Sequence, residues 1–156
     1  MGAYISRFFY FLTKLLRFVQ FCLGATTVGV RLIAMNDKNE VALVKHTYIP
    51  GWHFPGGGVK RRETMRDAAI REAHEEAGIV VQSAPELVGV YFHVVHRVDD
   101  HVALYATKDF SLEKSNCPEI AAVKWFDVTA LPADISKPTA RHLAGYLEKK
   151  TISDRW

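Results

Sequence analysis

The chain is poor in cysteine: Cys22 and Cys117 stand far apart, without metal-ligand spacing. With no disulfide framework and no zinc pattern, a reducing cytosol is the simplest home. Long apolar runs are missing too. A membrane-spanning helix needs about 20 mostly apolar residues, and the stretches Phe8–Leu12 and Phe18–Leu23 are separated by Lys14, Arg17 and Gln20. A secretory signal would carry its charges ahead of the apolar run, and here they fall inside it. Acid is absent from residues 1–24, which hold Arg7, Lys14 and Arg17 and therefore the whole +3 surplus of the 156-residue chain. The rest of the chain is neutral, which argues against a nucleic-acid binder working through bulk electrostatics. Repeats and low-complexity segments are also lacking. A hydrophobic share of 49% is too high for a disordered chain, and this length makes one domain with a real core.

Residues 1–24 form a basic aromatic arm, with Tyr4, Phe8, Phe9, Tyr10, Phe11, Phe18 and Phe21 among them. Read as a helix, they give a polar strip of Ser6, Arg7, Thr13, Lys14, Arg17 and Gln20. That pattern suits a helix lying in a membrane surface through residues 1–23, or one packed on the domain or on the partner of a homodimer. Met1-Gly2 through Ser6 also fits an N-myristoylation pattern. The expected location is cytoplasmic, or peripheral at the inner face of a membrane.

From Ala25 the texture becomes that of a mixed α/β domain, running to residue 150 and leaving 151–156 as a tail. Val28–Ala34 and Val41–Val44 read as strands joined by the Asn36–Asn39 turn, hence a hairpin. Leu87–Val98 and Val102–Phe110 read as a second hairpin turning at Asp99–His101. Ala122–Phe126 is a further strand, and Thr139–Lys150 a terminal helix. A helix is expected from Met65 to Ala77, capped by Thr64 and stopped by Gly78. Helices packed on a largely antiparallel sheet are the expected architecture.

The chemistry gathers between Gly57 and Ile79. At 100° per residue, Glu72, Glu75 and Glu76 fall within an arc of about 100° on that helix, while Ile70, Ala73 and Ala77 take another side. Glu72 and Glu76 are one turn apart, where like charges destabilise a helix by a few tenths of a kcal/mol, about 0.2–0.5. Only Arg71 lies within the cluster, so a cation is the better source of the missing charge. All-oxygen donors select Mg²⁺, or Mn²⁺, over zinc. Glu63 precedes the helix and can fold back toward the same face. Lys60, Arg61 and Arg62 lie in the loop, where cations meet phosphate oxygens, and the glycines before it allow close backbone approach.

At these residues the sequence resembles the Nudix hydrolases. Their box reads Gly, five residues, Glu, seven residues, then Arg-Glu-hydrophobic-x-Glu-Glu-x-Gly-hydrophobic. Gly57, Glu63, Arg71, Glu72, Glu75, Glu76 and Gly78 fill every fixed position, and Ile79 the last hydrophobic one. The likeness extends through Trp52–Val59 upstream and Glu119–Pro132 downstream. It implies a Nudix-type α/β/α sandwich with a mixed sheet and a loop-helix-loop box. It further implies Mg²⁺-dependent hydrolysis of a nucleoside diphosphate linked to another moiety. Glu72 and Glu76 would be the main metal ligands, Glu75 a further ligand or the group that orders the attacking water, and Gly56 or Gly57 the source of a backbone carbonyl. Arg71 would pair with Glu63 or Glu75 and stiffen the cluster. The general base would be Glu72 or Glu119. Arg61, Arg62, Trp52 and Glu63 are the candidates on the substrate side, Trp52 by stacking on a base or simply by packing a loop.

In the family it resembles, ADP-ribose-cleaving members often place a proline after the box, so the absence of proline between Pro85 and Pro118 lowers an ADP-ribose reading. Nucleoside triphosphates, dinucleoside polyphosphates and nucleotide sugars stay open. A catalytically silent nucleotide sensor or scaffold on the same fold is the alternative, and its expected mark, a lost box glutamate, is not present. His93-x-x-His96 invites a zinc reading, but on a strand these residues point to opposite faces; one of them is a candidate pocket residue.

Overall fold

A computed structural model describes residues 26–95, 97–150 and 153–156. The N-terminal arm and His96, with the expectations placed on them, lie outside the described residues. The order is β1 (Thr27–Ala34), β2 (Glu40–His46), β3 (Trp52–His53), α1 (Met65–Ala77), β4 (Ile79–Val81), β5 (Glu86–Val95), β6 (Val98–Thr107), β7 (Phe110–Leu112), β8 (Ile120–Asp127) and α2 (Lys137–Glu148).

The strands form sheets in the orders β1-β6-β5, β3-β2-β8 and β4-β7. β1 runs parallel to β6, and Thr27 through Ala34 face Asp100 through Thr107 residue for residue. The expected first hairpin is therefore corrected. The Asn36 turn exists, but β1 and β2 share only a bridge between Met35 and Val41 before entering different sheets. Local turn chemistry reports the reversal; the partner of β1 is decided by burial more than sixty residues away. The second hairpin forms with a different turn. Val95 pairs with Val98, and Asp99–His101 lie inside β6 rather than at its tip. Polar residues there read as a turn because their burial could not be seen.

Two apolar layers flank the strands. On one side Val30, Leu32 and Ala34 of β1 pack against Ala68, Ala69 and Ala73 of α1. Alanine at these helix positions lets α1 approach the sheet closely. On the other side Ile33, Leu43, Phe54, Tyr91 and Leu104 surround Leu143 of α2. The arrangement is a helix–sheet–helix sandwich with mixed strand directions. At the free edge of β1, Pro55–Val59 runs antiparallel to it: Val30 N donates to Gly57 O at 2.8 Å and Val59 N to Val28 O at 3.0 Å. This pins the glycine loop between the sheet and the start of α1. The terminal helix begins two residues earlier than expected, with Ser136 as its cap and Pro138 in its first turn, where a missing N–H costs nothing.

Candidate active site

The first turn of α1 is fixed by Thr64, whose hydroxyl oxygen accepts from Asp67 N at 3.1 Å and donates to Asp67 Oδ2 at 2.7 Å. Such a cap contributes about 1 kcal/mol. Gly78 ends the helix at φ 66° with its N–H on His74 O and Ala73 O. Between these limits the acids project toward the glycine loop.

Arg71 organises them. Its Nε donates to Glu63 Oε1 at 2.7 Å and its Nη2 to Glu63 Oε2 at 3.0 Å, a two-pronged grip across the loop. Nη1 reaches Glu72 Oε1 at 2.6 Å and Glu75 Oε2 at 3.2 Å, and Nη2 also meets Gly58 O at 3.2 Å. The planar guanidinium is suited to such multiple contacts. Glu63 takes a further bond from Lys60 N at 2.8 Å. The Arg71 bonds, then the Lys60 amide, hold its carboxyl down at about 2. Glu63, counted among the substrate-side candidates, is thus engaged in bracing Arg71.

Glu76 is the buried member of the cluster, 6% exposed. Its Oε2 accepts from Gly56 N at 2.8 Å, and its Oε1 lies 3.8 Å from His46 Nδ1. Burial pushes its carboxyl up to about 7; Glu72 and Glu119 add to this, while Arg31 and the Gly56 amide oppose it. Glu72 lies against Gly57, so close that a Cβ on Gly57 would stand 2.6 Å from the carboxyl carbon. That explains glycine at the box's first position better than turn geometry does, since its φ is not positive. Glu119, from the loop before β8, accepts from Tyr48 OH at 2.9 Å. Burial, then the charge of Glu119, raises the Tyr48 phenol far above its ordinary value and keeps it a donor.

Of the residues expected from sequence, Glu63, Arg71, Glu72, Glu75 and Glu76 are brought together with Gly57, and Glu119 approaches Glu76 from another loop. Arg61 and Arg62 are exposed at the rim. Trp52 corrects an expectation: it is 6% exposed, with Phe126 edge-on at 4.9 Å, so it packs the core rather than offering a face to a base. Sequence reasoning missed Arg31 and His46. Arg31 Nη1 donates to Gly56 O, and His46, with a side chain 4% exposed, has no hydrogen-bond partner for either ring nitrogen among the described residues. Burial, then Arg31 and His53, lowers its pKa to about 4. Both sit on strands whose apolar alternation gave no hint of a site.

The donor set fits a hard divalent cation. Glu72 and Glu76 offer carboxylate oxygens, and the Gly56–Gly58 segment offers carbonyls beside them. Burial, more than the neighbouring acids, raises the Glu76 carboxyl, and a bound cation would favour its ionised form. Among the described residues, no three His, Cys, Asp or Glu side chains already converge as a ligand set. Repulsion between carboxylates accounts for that, since Glu72 instead turns to Arg71.

A carboxylate-bearing helix at the edge of an α/β/α sandwich, braced by arginine beside a glycine loop, defines a metal-assisted phosphohydrolase class. Residues 25–146 match the NUDIX domain, and the chain belongs to that family as a Nudix phosphohydrolase. Members of this family generally use divalent metals. The m7GpppN-mRNA hydrolase dcap-2 of Caenorhabditis elegans is 31% identical over 115 residues, 70% of this chain but only 14% of that protein's length. The "Putative 8-oxo-dGTP diphosphatase" of Bacillus subtilis (strain 168) is 29% identical over 106 residues, covering 68% of this chain and 70% of that one. The crystal structure of a MutT NUDIX hydrolase from Burkholderia pseudomallei superposes with TM-score 0.67 at 25% identity, covering 76% of this chain and 96% of the other. Among the described residues no helix is long and apolar enough to cross a membrane.

Proposed function

We propose that the protein hydrolyses a phosphoanhydride bond in a nucleoside diphosphate linked to another moiety, using Mg²⁺ or Mn²⁺ held by Glu72 and Glu76 with a glycine-loop carbonyl. A nucleoside triphosphate is the first substrate to examine. That choice is supported by the likeness, over most of both chains, to the Bacillus subtilis protein. The observation that carries the reading is the pairing of a buried Glu76 on Gly56 N with a Glu72 lodged against Gly57.

When bound, a divalent ion supplies charge neutralisation on the phosphate oxygens and a water of lowered pKa. The protein's own groups do the rest. Arg71 braces Glu63 and holds Glu72 beside the glycine loop, from which Glu72 would turn to the ion as it binds. Gly56 N–H holds one Glu76 oxygen and leaves the other directed toward His46. Glu119, oriented by Tyr48, stands ready to accept a proton, as does Glu72. Arg61 and Arg62 at the rim draw in the phosphates. The arm, residues 1–23, is a candidate contact with an anionic membrane surface or a second copy.

The test is a screen of the purified protein with Mg²⁺ or Mn²⁺ against nucleoside triphosphates, dinucleoside polyphosphates, nucleotide sugars and ADP-ribose, following phosphate and pyrophosphate release. Metal-dependent turnover of at least one supports the hydrolase. No turnover of any, with nucleotide still bound, favours the silent sensor.

A further inference from the structure

Gly57 has the Glu72 carboxylate on one side and Gly29 on the other. A methyl built on Gly29 would lie 3.5 Å from Gly57 O, 3.9 Å from Val102 Cγ2 and 4.0 Å from Asp100 Oδ2, all ordinary contact distances. Gly29 therefore lies between the glycine loop and Asp100 without a side chain of its own.

The Asp100 end is polar and built. Asp100 is 6% exposed. The Thr27 hydroxyl donates to its Oδ1, and His93 Nε2 lies 2.8 Å from its Oδ2. Strand register sets this row: Thr27 on β1 faces Asp100 on β6, which faces His93 on β5. With strands about 4.8 Å apart, His93 stands roughly 10 Å across the sheet from β1, and the Gly57 segment lies one strand beyond. That reach suits the nucleoside half of a substrate whose phosphates lie at Glu72 and Glu76.

The chemistry at that end is specific. With Nε2 donating to Asp100 Oδ2, the ring is fixed in direction by a buried partner and its other nitrogen, Nδ1, is turned away from that carboxylate and left to accept. The His93 side chain is 27% exposed, whereas Asp100 behind it is covered. A residue needed only for packing would not require this orienting carboxylate.

We propose that the His93–Asp100 pair is the nucleoside-recognition element, with His93 Nδ1 accepting from a neutral donor of the nucleoside, a ribose hydroxyl or a base N–H. This rests on the diphosphohydrolase reading above. Asp100 and Thr27 are positioning residues, and Gly29 places no side chain between Asp100 and the glycine loop.

The experiment is calorimetric titration with Mg²⁺ of two probes: guanosine α,β-methylene triphosphate, which resists cleavage between its α and β phosphates, and inorganic tripolyphosphate, which has no nucleoside. His93→Ala is expected to weaken the nucleotide about tenfold and to leave tripolyphosphate unchanged. His93→Gln, whose amide oxygen can accept, recovers part of the loss. Gly29→Ala, which introduces no overlap, weakens the nucleotide alone. The 2′,3′-dideoxy form of the probe separates the two sources. If it binds the wild type as weakly as the ribose form binds His93→Ala, the donor is a sugar hydroxyl. If it binds normally and still responds to His93→Ala, the donor is on the base. Equal weakening of both probes, or no change for either, overturns the proposal. A wild-type protein that neither prefers nucleotide over tripolyphosphate nor hydrolyses any nucleoside triphosphate sinks the functional reading first, and is recognisable without any variant.

Discussion

Arg71 and Glu63, eight residues apart and on either side of the helix start, are joined by two parallel hydrogen bonds of 2.7 and 3.0 Å. The same guanidinium also holds Glu72, at 2.6 Å. One side chain thus ties the loop to the helix and sets the direction of a proposed metal ligand.

Arg71→Lys keeps the charge and loses the fork. Metal affinity is expected to fall about 10- to 100-fold, the range for residues that orient ligands. Titration of Mn²⁺ by electron paramagnetic resonance checks this without any substrate. An unchanged affinity would show that the fork is ornamental to metal binding.

Gly56 and Gly57 separate folding from function. Gly56 has φ 147°, and a Cβ there would overlap the Val30 carbonyl, which is fixed backbone. Gly56→Ala should therefore destabilise the domain by more than about 1 kcal/mol. The nearest atoms to a Cβ on Gly57 are those of the Glu72 carboxylate, the far end of a side chain rather than backbone. Gly57→Ala should keep most of the stability and lose most of the turnover. Urea denaturation beside steady-state rates distinguishes the two.

Glu119 and Tyr48 concern the general base. If Glu119 takes the proton, Glu119→Gln lowers kcat at least about 100-fold, and Tyr48→Phe lowers it a few-fold by releasing the carboxylate. If Glu72 is the base, Glu119→Gln changes kcat by less than about tenfold. Pre-steady-state rates decide between them.

Acid should weaken the fold through His142. Its ring is fully buried, stacked on Trp156 at 4.5 Å and close to Tyr91 at 4.2 Å. Burial, then Arg141, lowers its pKa to about 4. The unfolded chain therefore binds the extra proton between pH 6.5 and 4, so stability is full above 6.5 and lost as pH falls through that window. The slope is at most about 1.4 kcal/mol per pH unit. Glu76 acts in the opposite sense in metal-free protein, because its raised carboxyl favours the fold at low pH. The difference between wild type and His142→Gln is therefore the quantity to measure. It should shrink from pH 7.5 to pH 4.5.

Much of this molecule is legible in the sequence because its signals are local. Helix α1 starts after Thr64 and stops at Gly78 as the caps predict, and Arg71 braces Glu63 because both sit at fixed box spacings. What was illegible is long-range. The choice of β6 as the partner of β1 follows from which face is buried, not from the Asn36 turn. Arg31 and His46 enter the site only when distant strands are brought beside the glycine loop. Trp52 reads as a stacking candidate until Phe126 covers it. Asp99–His101 look like a turn because a buried Asp100 inside a strand makes sense only beside its partners His93 and Thr27.

A divalent ion held by Glu72 and Glu76 is proposed to drive phosphoanhydride cleavage. The most direct test is hydrolysis of the best nucleoside triphosphate by wild type and Glu76→Gln, titrated with Mg²⁺. Gln keeps the shape and still accepts from Gly56 N, so the fold should survive. Turnover is expected to appear with Mg²⁺, to disappear with chelator, and to fall at least about 100-fold in Glu76→Gln at saturating substrate. Turnover that persists without metal, or survives Glu76→Gln unchanged, would contradict the proposal.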